Sequence, residues 1–203
     1  MKTNAVESLD NAGAVVLAAG LSRRMGSPKM LLPWRGKTII EQSVDNLIKA
    51  GVCDIVVVTG GTSIEIEEIL CEYPVKLIYN PDYENGEMLV SFQCGLRALN
   101  HATRAGFMVL GDQPEIPPYV VKSLWKLFME FPGGIIIPSF NMRRGHPWLV
   151  DRIYWPEIIN LSPPQTLRNF ISDHQSELQY LNVDTDSILQ DLDTPEDYYK
   201  HHH

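Results

Sequence analysis

The sequence predicts an α/β protein, with a mostly parallel sheet covered by helices on both faces in three α/β/α layers. Two patterns carry this. Short apolar runs such as Ile55 to Val58 and Gly106 to Leu110 alternate with stretches of helical periodicity. These runs are apolar throughout rather than at every second residue, as in strands covered on both faces. Neither an internal repeat nor a low-complexity linker interrupts the 203 residues, and the 44% hydrophobic content suits one globular domain over 1–200.

The elements follow in order. Ala14 to Leu17 is a strand that breaks into a glycine-bearing loop. Thr38 opens a helix with Glu41 three residues on, a capping box, and Gly51 stops it. Ile55 to Val58 is a strand, Ser63 to Cys71 a helix, and Val75 to Tyr79 another strand. Met88 to Asn100 is expected to be helical and Gly106 to Leu110 a buried strand. Pro117 and Pro118 suit the first turn of a helix carrying Val120, Val121, Leu124, Leu127 and Phe128. Ile135 to Ile137 and Trp148 to Val150 read as strands, and Ser162 with Pro163 as the start of a helix carrying Leu167, Phe170 and Ile171. Leu178 to Val183 is a late strand, and Thr194 caps a last helix with Pro195 and Asp197. The segment 142–164 is the least regular and suits a small subdomain or lid.

Composition removes several function classes. A formal net charge of −8 argues against non-specific nucleic-acid binding, which needs a basic face. No apolar run has the length of a membrane span, and Met1 to Gly13 lacks the order of a signal peptide. Cys53, Cys71 and Cys94 form no C-x-x-C pair, so a reduced, cytoplasmic protein is expected. His201 to His203 reads as the remnant of a purification tag. A monomer is the default. Cations cluster in two places, Arg23, Arg24 and Lys29 early and Arg143 and Arg144 late, and either cluster suits a small phosphorylated ligand.

Four segments carry candidate chemistry. Leu17-Ala18-Ala19-Gly20-Leu21-Ser22-Arg23-Arg24-Met25-Gly26-Ser27-Pro28-Lys29 follows the first strand, where small residues let the backbone approach phosphate oxygens. It is neither a Walker A loop nor a dinucleotide fingerprint. Gly111-Asp112-Gln113-Pro114 puts a carboxylate at a strand's carboxyl end, where it serves equally as a Mg²⁺ ligand or as a cap for the next helix. In Asp191-Leu192-Asp193-Thr194 the threonine is explained as a cap, whereas Asp193 is not. Arg143-Arg144-Gly145-His146-Pro147 combines an arginine pair with a lone histidine, each read as structural or as a ligand contact.

The loop from Leu17 to Lys29 resembles the signature of the molybdenum cofactor nucleotidyltransferases and their NTP-transferase relatives, L-A-[AG]-G-x-S-x-R-M-G-x-x-K. The resemblance runs from about Ala14 to about Tyr198 and implies a Rossmann-like nucleotidyltransferase fold. It implies nucleotide contacts at Leu17, Ala18, Ala19, Gly20, Ser22, Gly26 and Lys29, with Gly60 near the base or ribose and Asn80 and Ser91, in a stretch that includes Gly86, as polar contacts. Arg24 and Lys29 are expected on the phosphates, Mg²⁺ on Asp112 and Asp193, and the acceptor beside His146, Arg143 and Arg144. Ala18-Ala19-Gly20 resembles the cytidylyltransferase branch, where the guanylyltransferases read Leu-Ala-Gly-Gly. The implied reaction transfers CMP from CTP, or GMP from GTP, to the phosphate of molybdopterin with release of pyrophosphate. Other phosphorylated acceptors, transient contact with a molybdoenzyme or its maturation factor, and a non-catalytic nucleotide-binding role are the alternatives.

Overall fold

The computed structural model describes residues 8–84 and 88–201. In chain order the elements are β1 (Ala12–Ala18), β2 (Pro33–Trp34), β3 (Lys37–Thr38), α1 (Ile39–Ala50), β4 (Asp54–Thr59), α2 (Ser63–Leu70), β5 (Lys76–Tyr79), α3 (Met88–Ala98), β6 (Ala105–Leu110), α4 (Pro118–Glu130), β7 (Ile135–Phe140), β8 (Arg143–Arg144), β9 (Trp148–Asp151), α5 (Trp155–Asn160), α6 (Leu167–Asp173), β10 (Leu178–Asn182) and α7 (Pro195–His201). No helix among the described residues is long and apolar enough to cross a membrane.

The main sheet runs β10-β7-β9-β6-β1-β4-β5, with β8 paired to β7. Strands β6, β1, β4 and β5 are mutually parallel, as are β7 and β10. Between the two parallel groups lies β9, antiparallel to both β6 and β7. The segment 142–164 therefore feeds a strand into the middle of the sheet, and its α5 packs beside α3. All seven residues of β1 are buried. Alternate side chains serve two cores: Ala14, Val16 and Ala18 face α1, α2 and α4, and Val15 and Leu17 face α3, α5 and α6. This two-sided burial explains the uninterrupted apolar runs.

Helix α1 has the capping box its sequence predicts, with Thr38 N–H donating to Glu41 Oε2 at 2.7 Å, and it ends at Gly51 in the left-handed region at φ 93°. Helix α6 differs from expectation. Ser162 and Pro163 precede it without opening it, because a residue before proline avoids helical backbone and Pro163 is itself followed by Pro164. Thr166 is the cap, closing a box with Asn169. The β2–β3 hairpin, which no periodicity marks, buries Trp34 against Ile39 and Leu192. His201 belongs to α7. Gly86, His202 and His203 lie outside the described residues.

Candidate active site

The carboxyl ends of β1 and β6 lie side by side, with Leu17 opposite Leu110. The chain leaves β1 into a loop that Ser22 organises at φ 50°: its carbonyl accepts the Met25 and Gly26 N–H groups, and its hydroxyl accepts the Lys29 N–H at 3.2 Å. The loop closes on a short turn, Lys29–Leu31, which points the Lys29 ammonium back across the strand ends.

Helix α1 holds the turn after β6. Ser43 Oγ donates to the Gly111 carbonyl at 2.9 Å, and Asn46 Nδ2 donates to the Pro114 carbonyl at 2.8 Å. The segment before α7 docks on the same turn, with the Leu192 N–H donating to the Asp112 carbonyl at 3.3 Å and Gln113 Nε2 donating to Asp191 Oδ1 at 2.6 Å. Three distant stretches thus converge. Lys29 Nζ forms a buried ion pair and hydrogen bond with Asp112 and donates to Asp193 Oδ1 at 3.0 Å, and Arg24 Nη2 donates to Asp193 Oδ2 at 2.8 Å.

The electrostatics follow from this packing. Burial disfavours the Lys29 ammonium, but the Asp112 charge and the hydrogen bonds to Asp112 and Asp193 outweigh it and hold its pKa above the ordinary value. Burial likewise opposes ionisation of Asp193, and Lys29 and Arg24 outweigh it, so its pKa lies below the ordinary carboxylate range. Asp191 forms no ion pair among the described residues, and burial together with the Asp112 charge outweighs the Gln113 hydrogen bond and the Lys29 charge and pushes it up to about 6.

Around this cluster lies a cleft of about 310 Å³ lined by Leu17, Ala19, Gly20, Arg24, Lys29, Tyr83, Met88, Ser91, Asp112, Asp191 and Asp193, among others. A second cleft of about 430 Å³ is lined by Gly20, Ser22, Gly26, Gly61, Thr62 and Tyr83 among others, and Tyr83 stands between the two. A Cβ at Gly60 would lie 2.6 Å from the Ala19 carbonyl oxygen and 2.8 Å from the Tyr83 side chain, so only glycine lets that ring sit there. Ala18 is buried beneath the loop and borders neither cleft. Asn80 is wholly buried, with Nδ2 donating to Ser91 Oγ at 3.1 Å and Oδ1 accepting the Asp82 N–H at 3.0 Å. The pair fixes the turn that carries Tyr83, and only Ser91 reaches the cleft.

The predicted late cluster divides. His146 is drawn inward, its N–H donating to the Ile188 carbonyl at 2.9 Å and its ring stacked 4.9 Å from that of Trp148. Burial holds its pKa down at about 4. Arg143 and Arg144 are exposed on β8, and the Arg144 guanidinium lies over the Tyr180 ring on the outer strand β10, away from both clefts. Tyr83 and Met88 line the clefts within stretches that resemble the family's nucleotide-lining segment, whereas Asp191, Trp148 and Arg168 line clefts with no role assigned to them from sequence. Asp191, two residues before Asp193, is the one that spacing alone could have flagged.

A hard divalent cation suits the oxygens of Asp112 and Asp193, and the Lys29 ammonium already marks the point between them as favourable to positive charge. Among the described residues no group of three or more His, Cys, Asp or Glu is arranged to hold a metal ion. Mg²⁺ characteristically takes one or two carboxylates and completes its shell with substrate phosphates and water, so this pair fits it.

A cation-lined cleft at the carboxyl ends of a doubly covered, mostly parallel sheet is where a protein of this α/β class binds its ligands. The chain belongs to the MobA-like NTP transferase domain family, whose profile matches residues 14–178. It is 33% identical to the molybdenum cofactor cytidylyltransferase of Escherichia coli over 91% of this chain and 92% of that one. It is 28% identical to the nicotine blue oxidoreductase of Paenarthrobacter nicotinovorans over 92% and 94% of the two chains. It is also 26% identical to a probable molybdenum cofactor guanylyltransferase of Natranaerobius thermophilus, over 93% of each. The fold matches the manganese complex of Rv0371c from Mycobacterium tuberculosis, with a TM-score of 0.79, 23% identity and coverage of 93% and 96%.

Proposed function

We propose that this protein transfers CMP from CTP to the terminal phosphate of molybdopterin and releases pyrophosphate, with Mg²⁺ as its metal. The observation that carries this reading is the convergence of Lys29, Asp112 and Asp193 beside the small-residue loop. The 33% identity to a cytidylyltransferase over nine-tenths of both chains supports the choice of reaction. Ala19 supports the choice of base, because its methyl group narrows the cleft wall where the guanylyltransferase signature has glycine.

In this mechanism an oxygen of the acceptor phosphate forms a bond to the α-phosphorus of CTP, and the bond from that phosphorus to the oxygen that bridges it to the β-phosphorus breaks, that oxygen leaving with pyrophosphate. The nucleophile is already anionic near neutral pH, so no general base is needed. The loop from Gly20 to Gly26 cradles phosphate oxygens, and Arg24 and Lys29 neutralise charge as it shifts to the leaving group. Asp112 and Asp193 would hold Mg²⁺, which supplies further neutralisation of the triphosphate. Ser22 and the Asn80–Ser91 pair act through the loops they brace.

Pyrophosphate release is measured with each of the four NTPs, Mg²⁺ and molybdenum-loaded molybdopterin, for wild type and Asp112→Ala. Release with CTP alone, reduced on the order of a hundred-fold or more in the variant, is expected. Release with GTP alone would reassign the base. No release with any NTP would sink the reaction.

A further inference from the structure

Helix α1 buries two polar side chains that its packing does not require. Its inward face carries Ile39, Ile40, Val44, Leu47 and Ala50, and among them Ser43 and Asn46 are only 3% and 8% exposed. A buried hydroxyl or amide has given up its hydrogen bonds to water and needs a partner in the protein. Both find one in the turn after β6, residues 111–114. We propose that Ser43 and Asn46 are positioning residues for metal-dependent transfer, which fix the backbone of this turn from behind and so aim the Asp112 carboxylate. The inference rests on the nucleotidyl-transfer reading, in which Asp112 holds Mg²⁺.

The turn holds itself weakly. Its own backbone bonds are long, with the Gln113 N–H 3.3 Å from the Leu110 carbonyl and the Ile116 N–H 3.5 Å from the Gln113 carbonyl. Its other carbonyls are gripped from outside. Gly111 accepts from Ser43 Oγ at 2.9 Å, Asp112 from the Leu192 N–H at 3.3 Å, and Pro114 from Asn46 Nδ2 at 2.8 Å. The two shortest of these three come from α1, and they fall on either side of Asp112 in the chain. The Asn46 amide has a fixed orientation, because its Oδ1 accepts Gln42 Nε2 at 2.7 Å and leaves Nδ2 to face the turn. The Ser43 hydroxyl has one proton and two acceptors in reach, the Gly111 carbonyl and, at 3.1 Å, the Ile39 carbonyl of its own helix. That geometry ties the turn to the first turn of α1.

Strand β1 holds the same turn from its other side. The Gly111 N–H donates to the Leu17 carbonyl at 3.1 Å, and a Cβ at Gly111 would lie 2.9 Å from that oxygen. Asp112 thus has its peptide braced by α1, β1 and Leu192, while Lys29 meets its carboxylate in front. Ser43 and Asn46 stand behind the turn, outside the lining of the nucleotide cleft, so any effect they have on transfer passes through Asp112. Groups that orient a metal ligand without touching the metal typically change affinity or activity by about 10–100-fold when removed.

A double-mutant cycle on the full chain tests the proposal, with Ser43→Ala and Asn46→Ala each made alone and on top of Asp112→Asn. Pyrophosphate release with CTP and molybdenum-loaded molybdopterin is one readout. Calorimetric titration of CTP with and without Mg²⁺ is the other, and it needs no turnover. Each single variant should lower kcat by about ten-fold and shrink the gain in CTP affinity that Mg²⁺ gives, with metal-free CTP affinity unchanged. On Asp112→Asn the same changes should cost less than about two-fold, since the group they position is already gone. Ser43→Thr keeps the hydroxyl and should restore the Mg²⁺ effect. Asn46→Asp keeps the shape but cannot donate to Pro114, and should behave as Asn46→Ala does, which covers a poorly folding alanine variant. Equal losses with and without the Asp112 carboxylate, or a Mg²⁺ effect the same in wild type and variants, would overturn the assignment. A graded loss of the Mg²⁺ effect with no pyrophosphate release even from wild type would sink the transfer reading and leave the positioning of Asp112 standing.

Discussion

The Lys29 ammonium is shared between Asp112 and Asp193, which follow it by 83 and 164 positions in the chain. One side chain therefore balances two carboxylates that would otherwise face each other across the strand ends, and it does so where triphosphate and metal are proposed to bind.

Replacing it separates two roles. Lys29→Met should reduce nucleotidyl transfer by on the order of a hundred-fold, as loss of one group neutralising the transition state does. It should also leave Asp112 uncompensated and Asp193 with Arg24 alone, so that Mg²⁺ raises the melting temperature of the variant more than that of wild type. Melting curves with and without Mg²⁺, in the absence of nucleotide, check this. Equal shifts would mean the two carboxylates do not share a cation.

Ala19 is open to a specificity test. Ala19→Gly should raise the ratio of kcat/KM for GTP to that for CTP by about ten-fold, the scale of one methyl group in a pocket wall. Competition between the two nucleotides in one reaction reads the ratio directly.

His146 sets a pH dependence whose sign is fixed by its burial. Its folded pKa of about 4 lies below the ordinary 6.5. An unfolded chain therefore takes up a proton that the folded one refuses. The stability this residue supports is full above pH 6.5 and falls as pH drops towards 4, by about 3 kcal/mol at most. His146→Gln should flatten that slope in urea unfolding at pH 7.5, 5.5 and 4.5. Parallel slopes would show that His146 is protonated with little cost.

Gly145 holds His146 in place by having no side chain. A Cβ there would lie 2.3 Å from the Ile188 carbonyl oxygen. Gly145→Ala should destabilise the fold by about 1–3 kcal/mol through overpacking, read by denaturant unfolding at pH 7.5.

The strands, most helices and the first loop were legible because each is written in local order: apolar runs, capping boxes and small residues at a strand end. Distance in sequence hid the rest. Nothing near Arg143 tells that β8 pairs with the end of β7, since this follows from how distant strands assemble in the sheet. The resemblance implies Asn80 and Ser91 as polar contacts; Asn80 is buried in a hydrogen bond to Ser91 under the turn of Tyr83, and Ser91 also lines the cleft. Ser162 read as a helix start through its chemistry alone, whereas the prolines that follow it decide the backbone.

The docking of residues 188–193 has a consequence for biosynthesis. Ile188 receives the His146 N–H, Leu192 binds the Asp112 carbonyl, and Asp193 completes the partnership of Lys29. A nascent chain can lay down β1, β4 and β6 early, yet while residue 193 is still inside the ribosome Lys29 and Asp112 have no third partner. Closure of the site is thus a late event spanning most of the chain, and a chain cut short before Leu192 would present sheet and loop without a finished centre.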